Sequence, residues 1–316
     1  MNKQQDTDAL RADTAAAIGG MQCYNQPFFQ FFFSDSIQKM KEIESESIDC
    51  ILTDPPYKYL KNQKLEVDFD EEIFFNQAKR MLKNDGFIVL FGRGTSFYRW
   101  NTILADLGFS FKEEFIWDKS YSTSPLMAIS RVHETISIWT KKTGSINKVK
   151  VPYLEMKGHD INAIVTDINR LKTTFSNFES LDAVRKYLID RKFIYDGVYN
   201  SSTTITSTKD SRKRRLDRCA AVAMQMQEGM NEKTIIKEIR DHYTTIHPTQ
   251  KPVRLFERLL ALTTKEGDLV LDPFAGSCST GIACLNMKRQ FMGYEIDFEY
   301  YQKAVERLKS IEPRLF

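Results

Sequence analysis

Four consecutive residues, Asp54-Pro55-Pro56-Tyr57, set a carboxylate, two backbone units without N–H donors and an aromatic ring directly behind Ile51-Leu52-Thr53. Proline fixes φ and donates no hydrogen bond, so a strand must stop there and its end is held stiff. The rim offers two acceptors, the Asp54 carboxylate and a proline carbonyl, beside the Tyr57 ring. That set suits a planar heterocycle bearing an NH2 group, because two acceptors take its two N–H bonds while the ring stacks on its π-face. An amine conjugated to such a ring is a poor nucleophile, its lone pair being delocalised. Holding both N–H bonds favours a pyramidal nitrogen and aims the lone pair at an electrophilic methyl group. Asp54 then orients the amine and stabilises the developing positive charge without deprotonating it beforehand. The plain alternative, a rigid Pro-Pro turn, leaves Asp54 and Tyr57 without a task.

A second group lies far along the chain. Leu269-Val270-Leu271-Asp272-Pro273-Phe274-Ala275-Gly276-Ser277 reads as a buried strand ending in an acid and a small-residue loop that opens a helix. In a doubly wound sheet, ligands sit beyond the carboxyl ends of strands, where small residues admit a close backbone approach. Glu295 ends the next strand about 20 residues on, the usual place for an acid that grips ribose hydroxyls. The loop lacks the G-x-G-x-x-G spacing of dinucleotide folds, and a strand–turn–helix with a capping Asp is the alternative. The paired acids favour a nucleoside site.

These groups need elements to position them. Phe28 to Phe33 reads as a strand, Ser36 to Glu44 as a helix with Ile37, Met40 and Ile43 inward, and Ile48 to Thr53 as a strand. Glu71 to Leu82 has helical spacing, with Ile73, Phe74, Ala78 and Met81 on one face. A strand Phe87 to Phe91, a helix Thr95 to Leu107 and strands Phe111 to Trp117 and Thr135 to Thr140 follow. The rhythm lapses after Gly144 and resumes with helix Val253 to Leu262, strand Leu269 to Asp272, helix Thr280 to Asn286, strand Phe291 to Glu295 and helix Tyr300 to Ser310. Alternation of this kind predicts βαβ units and a mostly parallel sheet. The expected organisation is a polar N-terminal tail over 1–20, a catalytic half over 21–143, a separate region over 144–245 and a cofactor half over 246–316.

The 316 residues, 42% hydrophobic and 28% charged, describe an ordinary globular chain with a buried core. A net charge of +3 argues little, but its distribution argues more. Between Lys141 and Thr245 there are 20 Lys plus Arg against 13 Asp plus Glu, a net of +7. A phosphate-bearing partner would be drawn to that block, where Lys209, Arg212, Lys213, Arg214, Arg215 and Arg218 are densest. Helical patterns at Arg212 to Glu228 and Glu232 to His242, separated by Gly229, read as a packing hairpin or a helix-turn-helix. Lys58 and Lys61 follow the first motif in a lysine-rich loop that would meet the same phosphate-bearing partner. The five cysteines (Cys23, Cys50, Cys219, Cys278 and Cys284) are scattered, with no C-x-x-C pair and no metal spacing. They read as reduced thiols without a structural metal. No apolar run is long enough to span a bilayer.

Asp-Pro-Pro-Tyr followed by Asp-Pro-Phe-x-Gly-Ser resembles the DNA amino-methyltransferases, in the β-class order that puts the catalytic motif before the cofactor motif. His247-Pro248-Thr249-Gln250-Lys251-Pro252 resembles the segment that flanks the cofactor in that family. The resemblance implies an α/β fold: a Rossmann-like, seven-stranded methyltransferase sheet, circularly permuted in motif order, with an inserted target-recognition domain. It implies S-adenosyl-L-methionine as cofactor, held by Asp35, Asp272, Phe274, Gly276, Ser277 and Glu295, with Thr249 and Lys251 near its methionine end. Asp54, Pro55, Pro56 and Tyr57 would then act on adenine N6 of a base flipped out of double-stranded DNA. Phe91-Gly92-Arg93-Gly94 borders the target-base pocket or is a plain turn. One departure is Cys278, where the family usually has Gly, since Cys adopts positive φ less readily. The family also brings expectations of a homodimer, a cognate restriction endonuclease and a bacterial cytoplasmic or phage-encoded setting. Three alternatives stay open: cytosine N4 as target, RNA or protein in place of DNA, and a catalytically silent DNA-binding protein. Asp at the first motif position favours adenine, because the cytosine enzymes more often carry Ser there.

Overall fold

The computed structural model describes residues 23–57, 68–120, 128–158, 160, 162–167, 222, 224–240 and 245–311. The chain packs as two units, one formed by residues up to Asn147 and from Thr234 onward, the other by Lys148–Lys233.

The first unit is built on a sheet whose strand order is β1-β2-β11-β10-β3-β4-β6-β5-β9. The strands are β1 (Cys23–Gln26), β2 (Phe29–Phe33), β3 (Ile48–Thr53), β4 (Leu82–Gly92), β5 (Ser110–Asp118), β6 (His133–Thr140), β9 (Ile235–Lys237), β10 (Leu269–Asp272) and β11 (Gln290–Glu295). Neighbours from β2 to β4 run parallel, β6 is antiparallel to both β4 and β5, and β9 is parallel to β5. The expected seven strands are β2 to β5 in this order. Two additions lie outside them: β1 makes a hairpin with β2, and β9 covers the far edge.

β3 reads as a continuous buried run because a parallel strand is covered on both faces. Successive residues serve opposite layers. Ile51 of β3 and Ile88 and Leu90 of β4 join a core with Ile37, Phe74, Ala78, Trp100 and Leu104. These last five come from helices α1 (Ser36–Lys39), α2 (Glu71–Met81) and α3 (Gly94–Asp106). On the other face Phe91 meets Phe256 of α5 (Val253–Thr263), with ring centroids 5.5 Å apart. The same face carries α6 (Ser279–Asn286) and α7 (Phe298–Ile311). There Tyr301 packs on Phe31 at 5.0 Å. At Gly281 the α6 backbone comes so close that an added Cβ would lie 2.9 Å from Phe29 and 2.5 Å from the Cys278 sulfur.

Local chemistry sets the element ends. Asp70 caps α2 by accepting from the Ile73 N–H at 2.9 Å, with Glu71 and Glu72 in the first turn and Lys79 and Arg80 in the last, matching the helix dipole. Asp35 caps α1 through the Ile37 N–H, also at 2.9 Å. α1 is shorter than the expected Ser36 to Glu44, passing into a 3-10 turn at Met40–Glu42. β4 begins earlier than Phe87, its register with β3 slipping after Leu82 so that Lys83–Asp85 bulge outward before pairing resumes at Phe87.

The expected helix Glu232 to His242 is corrected: Ile235–Lys237 form an edge strand. Two β-branched residues pair with Ile116 and Trp117, and Ile236 is fully buried. The Trp117 indole N–H donates to the Glu238 carbonyl at 2.8 Å, and Arg258 pairs with Glu238 at 2.7 Å. Residues 224–228 are helical, as expected.

In the second unit, β7 (Lys150–Val151) pairs antiparallel with β8 (Met230–Asn231), and α4 (Tyr153–Lys157) ends at Gly158 with φ 55°. Tyr153 and Lys157 both contact buried Asp167, each at 2.7 Å. The basic cluster from Lys209 to Arg218, together with Lys58 and Lys61, lies outside the described residues. Among the described residues no helix is long and apolar enough to cross a membrane.

Candidate active site

β3 and β10 are parallel neighbours, Val270 opposite Cys50 and Leu271 opposite Ile51. Their carboxyl ends therefore emerge side by side, although Asp54 and Asp272 are far apart in sequence. Strand order runs outward from this pair in both directions, which makes it the switch point where an open α/β sheet binds ligands. A cavity of about 580 Å³ opens there, within the roughly 300–1,000 Å³ range of small-molecule sites. Its lining includes Asp54, Pro55, Pro56 and Tyr57 from the first motif, and Asp272, Phe274, Gly276, Ser277 and Glu295 from the second. Asp35, Arg93, Thr249 and Lys251 complete the sequence-derived set in the same wall.

The seam between the motifs is a hydrogen bond. Thr53 Oγ1 donates to Asp272 Oδ1 at 2.9 Å. Asp272 also accepts from Thr280 Oγ1 at 2.6 Å and from the Phe274 N–H at 3.2 Å. Burial nevertheless dominates and pushes its carboxyl up to about 6, against those bonds and Lys251. Glu295 accepts from the Gly276 N–H at 2.9 Å through Oε2 and from the Asp297 N–H at 2.7 Å through Oε1. Burial pushes it up to about 7, with those bonds opposing. Gly276 takes φ 52°, and Cys278, two residues on, takes φ 58° with its side chain fully buried. The left-handed geometry that Gly adopts most readily is thus adopted here by Cys.

On the other rim, the Tyr57 hydroxyl donates to Asp54 Oδ1, and the Lys251 ammonium sits against Asp54 Oδ2. Ser96 Oγ holds the Tyr57 carbonyl at 2.7 Å. Burial pushes Lys251 down to about 7, with Asp272 opposing. Sequence reasoning placed Lys251 near the cofactor; the structure sets its charge against the Asp54 carboxylate. His247 is neutral, burial holding it down at about 4 with Asp297 opposing. Its Nδ1 receives the Thr249 N–H at 3.3 Å, which leaves the proton on Nε2. Its ring stands edge-on to Tyr300 at 4.3 Å and lies near the Gly276 backbone.

Sequence reasoning missed Phe69, Lys119, Glu134 and Arg240, which also line the cavity. Phe69 packs on Phe274 at 5.1 Å and on Trp100 at 6.1 Å. Lys119 and Glu134 pair at 3.1 Å where β5 ends and the antiparallel β6 begins. A charged residue at each of those strand ends was the available signal.

The two buried acids make stability without cofactor pH-dependent. Unfolded, both ionise near ~4; folded, they keep protons to about 6 and about 7. Between these limits the folded state binds more protons, so their stabilising contribution is present at low pH and lost as pH rises to about 7. Lys251 acts in the opposite sense from about 7 upward. Glu295→Gln is expected to gain in melting temperature relative to wild type as pH rises from about 4.5 to about 7.5. Thermal unfolding without cofactor reads this, and parallel curves contradict it.

Known proteins resemble this chain along most of its length. The family described as DNA methylase matches residues 48–306. Type II methyltransferase M.HpaI of Haemophilus parainfluenzae is 27% identical over 291 residues, covering 88% of this chain and 73% of its own. Type II methyltransferase M2.DpnII of Streptococcus pneumoniae is 26% identical over 310 residues, covering 91% and 92%. Among solved structures, the PvuII DNA methyltransferase (cytosine-N4-specific) matches with a TM-score of 0.55 at 14% identity, covering 93% of this chain and 96% of its own. The M1.HpyAVI-SAM complex matches with a TM-score of 0.52 at 20% identity, covering 88% and 99%. These structural likenesses establish a shared fold. Because the family pattern runs from the start of β3 into α7, taking in both motifs and most of the cavity between them, the chain belongs to the DNA methylase family.

Proposed function

We propose that this DNA methylase transfers a methyl group from S-adenosylmethionine to N6 of an adenine flipped out of duplex DNA. The observation that carries the reading is the single cavity that the Asp54 and Glu295 carboxylates both line, beside the strand ends joined by the Thr53–Asp272 bond.

The residues present fit the cofactor. A carboxylate offers about four acceptor sites; the Gly276, Asp297 and Ile296 N–H groups engage Glu295 without filling them, leaving acceptor capacity for a ribose hydroxyl. Asp272 and Gly276 shape the loop beneath, Phe274 and Ser277 line it, and Asp35 keeps one carboxylate oxygen beyond its capping bond for an adenine amine. Thr249 and Lys251 line the same cavity. Bound S-adenosylmethionine supplies an electrophilic methyl group.

The chain's own groups prepare the amine. Asp54 and a carbonyl of the Pro55-Pro56 rim accept its N–H bonds, so the nitrogen lone pair points into the cavity. Asp54 stabilises the positive charge as it develops, and Tyr57 stacks on the base. The Lys209–Arg218 cluster, with Lys58 and Lys61, is assigned to DNA phosphates on its charge alone.

Nucleoside analysis of duplex DNA methylated by the purified protein tests the reading. N6-methyladenine is the expected product; N4-methylcytosine alone overturns the base, and methylation of RNA or protein in preference to duplex overturns the polymer. Tyr57→Ala is expected to weaken target capture by about 1–3 kcal/mol, the usual value of base–aromatic stacking. Unchanged activity at subsaturating DNA contradicts that role.

A further inference from the structure

We propose that Lys251 is a positioning residue with two seats: its ammonium rests on Asp54 while no base is bound, and passes to Glu134 when the target amine arrives. The inference rests on the reading of Asp54 as acceptor for that amine.

Both oxygens of Asp54 are engaged from within the chain, Oδ1 by Tyr57 and Oδ2 by Lys251. An ammonium is the nearest mimic the chain possesses of the positive nitrogen that forms on the amine. The arriving amine needs an Asp54 oxygen as acceptor, and two cations at one carboxylate would repel each other once its charge grows, so Lys251 must withdraw when the amine binds. A destination is built beside it. Glu134 Oε2 is buried, makes no hydrogen bond among the described residues and lies 3.5 Å from Lys251 Nζ. A buried carboxylate oxygen in that state calls for a donor. Glu134 cannot turn freely, because its Oε1 is held by Lys119, itself only 6% exposed.

The path between seats keeps the charge paired. The Phe91 ring lies 4.8 Å from Nζ and offers its π-face to the cation. The Lys251 backbone is pinned by Ser279 Oγ, which donates to its carbonyl at 3.0 Å. Rotation of the side chain is therefore sufficient.

The test compares wild type, Glu134→Gln, Lys251→Met and the double variant on duplex DNA, with kcat and KM measured across pH. Wild-type methylation is the first arm; its absence ends the reading of Asp54, whereas the remaining arms bear on Lys251. Glu134→Gln removes the second seat, so the ammonium should compete with the amine and lower kcat/KM about tenfold near pH ~6.5, chiefly through KM. The defect should shrink toward pH ~8.5 as Lys251, held near neutrality by burial, loses its proton. Among the described residues the groups facing Lys251 are Asp54, Tyr57, Glu134, Lys119 and Asp272; Asp272 titrates in both proteins and drops out of the ratio. In the Lys251→Met background, Glu134→Gln should add less than about twofold. An equal defect in both backgrounds overturns the proposal. So does a defect of Glu134→Gln that is flat with pH, a result that needs no Lys251 variant to fold. A far-UV circular dichroism spectrum unchanged from wild type verifies that the sheet is intact in each variant.

Discussion

Asp54→Ala is expected to abolish methyl transfer while leaving cofactor affinity within a few-fold of wild type. Removing one group that stabilises transition-state charge typically lowers kcat by about 10²–10³-fold, and here the same group also aims the lone pair, so the loss should reach at least the upper end. The fold should survive, because Asp54 makes its contacts at the rim with Tyr57 and Lys251. Lys251 also keeps a carboxylate within reach in Glu134. Single-turnover transfer at saturating duplex, with calorimetry of cofactor binding beside it, separates the two effects. Wild-type-like turnover would remove Asp54 from the mechanism, and loss of cofactor binding would make it a structural residue.

The second large effect lies at Asp272 and has the opposite distribution. Asp272→Ala withdraws the acceptor from Thr53, Thr280 and the Phe274 N–H at once. Each buried donor left without a partner costs roughly 1–3 kcal/mol, offset in part by relief of the buried carboxyl. A net loss of about 3 kcal/mol of stability is expected, together with loss of both cofactor binding and turnover, since no side chain then ties the carboxyl ends of β3 and β10. Asp272→Asn is the informative control. The amide oxygen still accepts, and the Thr280 hydroxyl can turn to accept from the new NH2. Because burial already pushes this carboxyl toward its neutral form, the isosteric amide should retain most of the stability. Chemical denaturation of the two variants checks the order, and equal destabilisation by Ala and Asn would show that charge rather than hydrogen-bond count holds the seam.

Much of the architecture was legible because its causes are local. Ile48–Thr53 and Leu269–Asp272 lie within the residues that their apolar runs and terminal breakers predict. The α2 helix, expected over Glu71 to Leu82 from its apolar period, runs over Glu71–Met81, and Leu82 already belongs to β4. Elements with two-sided causes were less legible. The Glu232 to His242 stretch has a helical pattern of its own, yet Ile235 and Ile236 are claimed by an open sheet edge at β5 that only the folded chain presents. β1 was missed for a similar reason, being a short, half-exposed run that is a strand only because β2 pairs with it.

The sequence by itself determined where the rigid rim of Asp54-Pro55-Pro56-Tyr57 ends its strand and where Gly276 turns the second loop, since proline's fixed φ and glycine's freedom act within a few residues. It also determined that both motifs stand at strand ends. Only the tertiary structure decided that those ends are neighbours, because strand order follows from burial summed over the whole chain. Tertiary structure likewise decided that Lys251 faces Asp54 and Glu134. Which buried charges pair depends on which are withdrawn from water together, and no spacing along the chain encodes that.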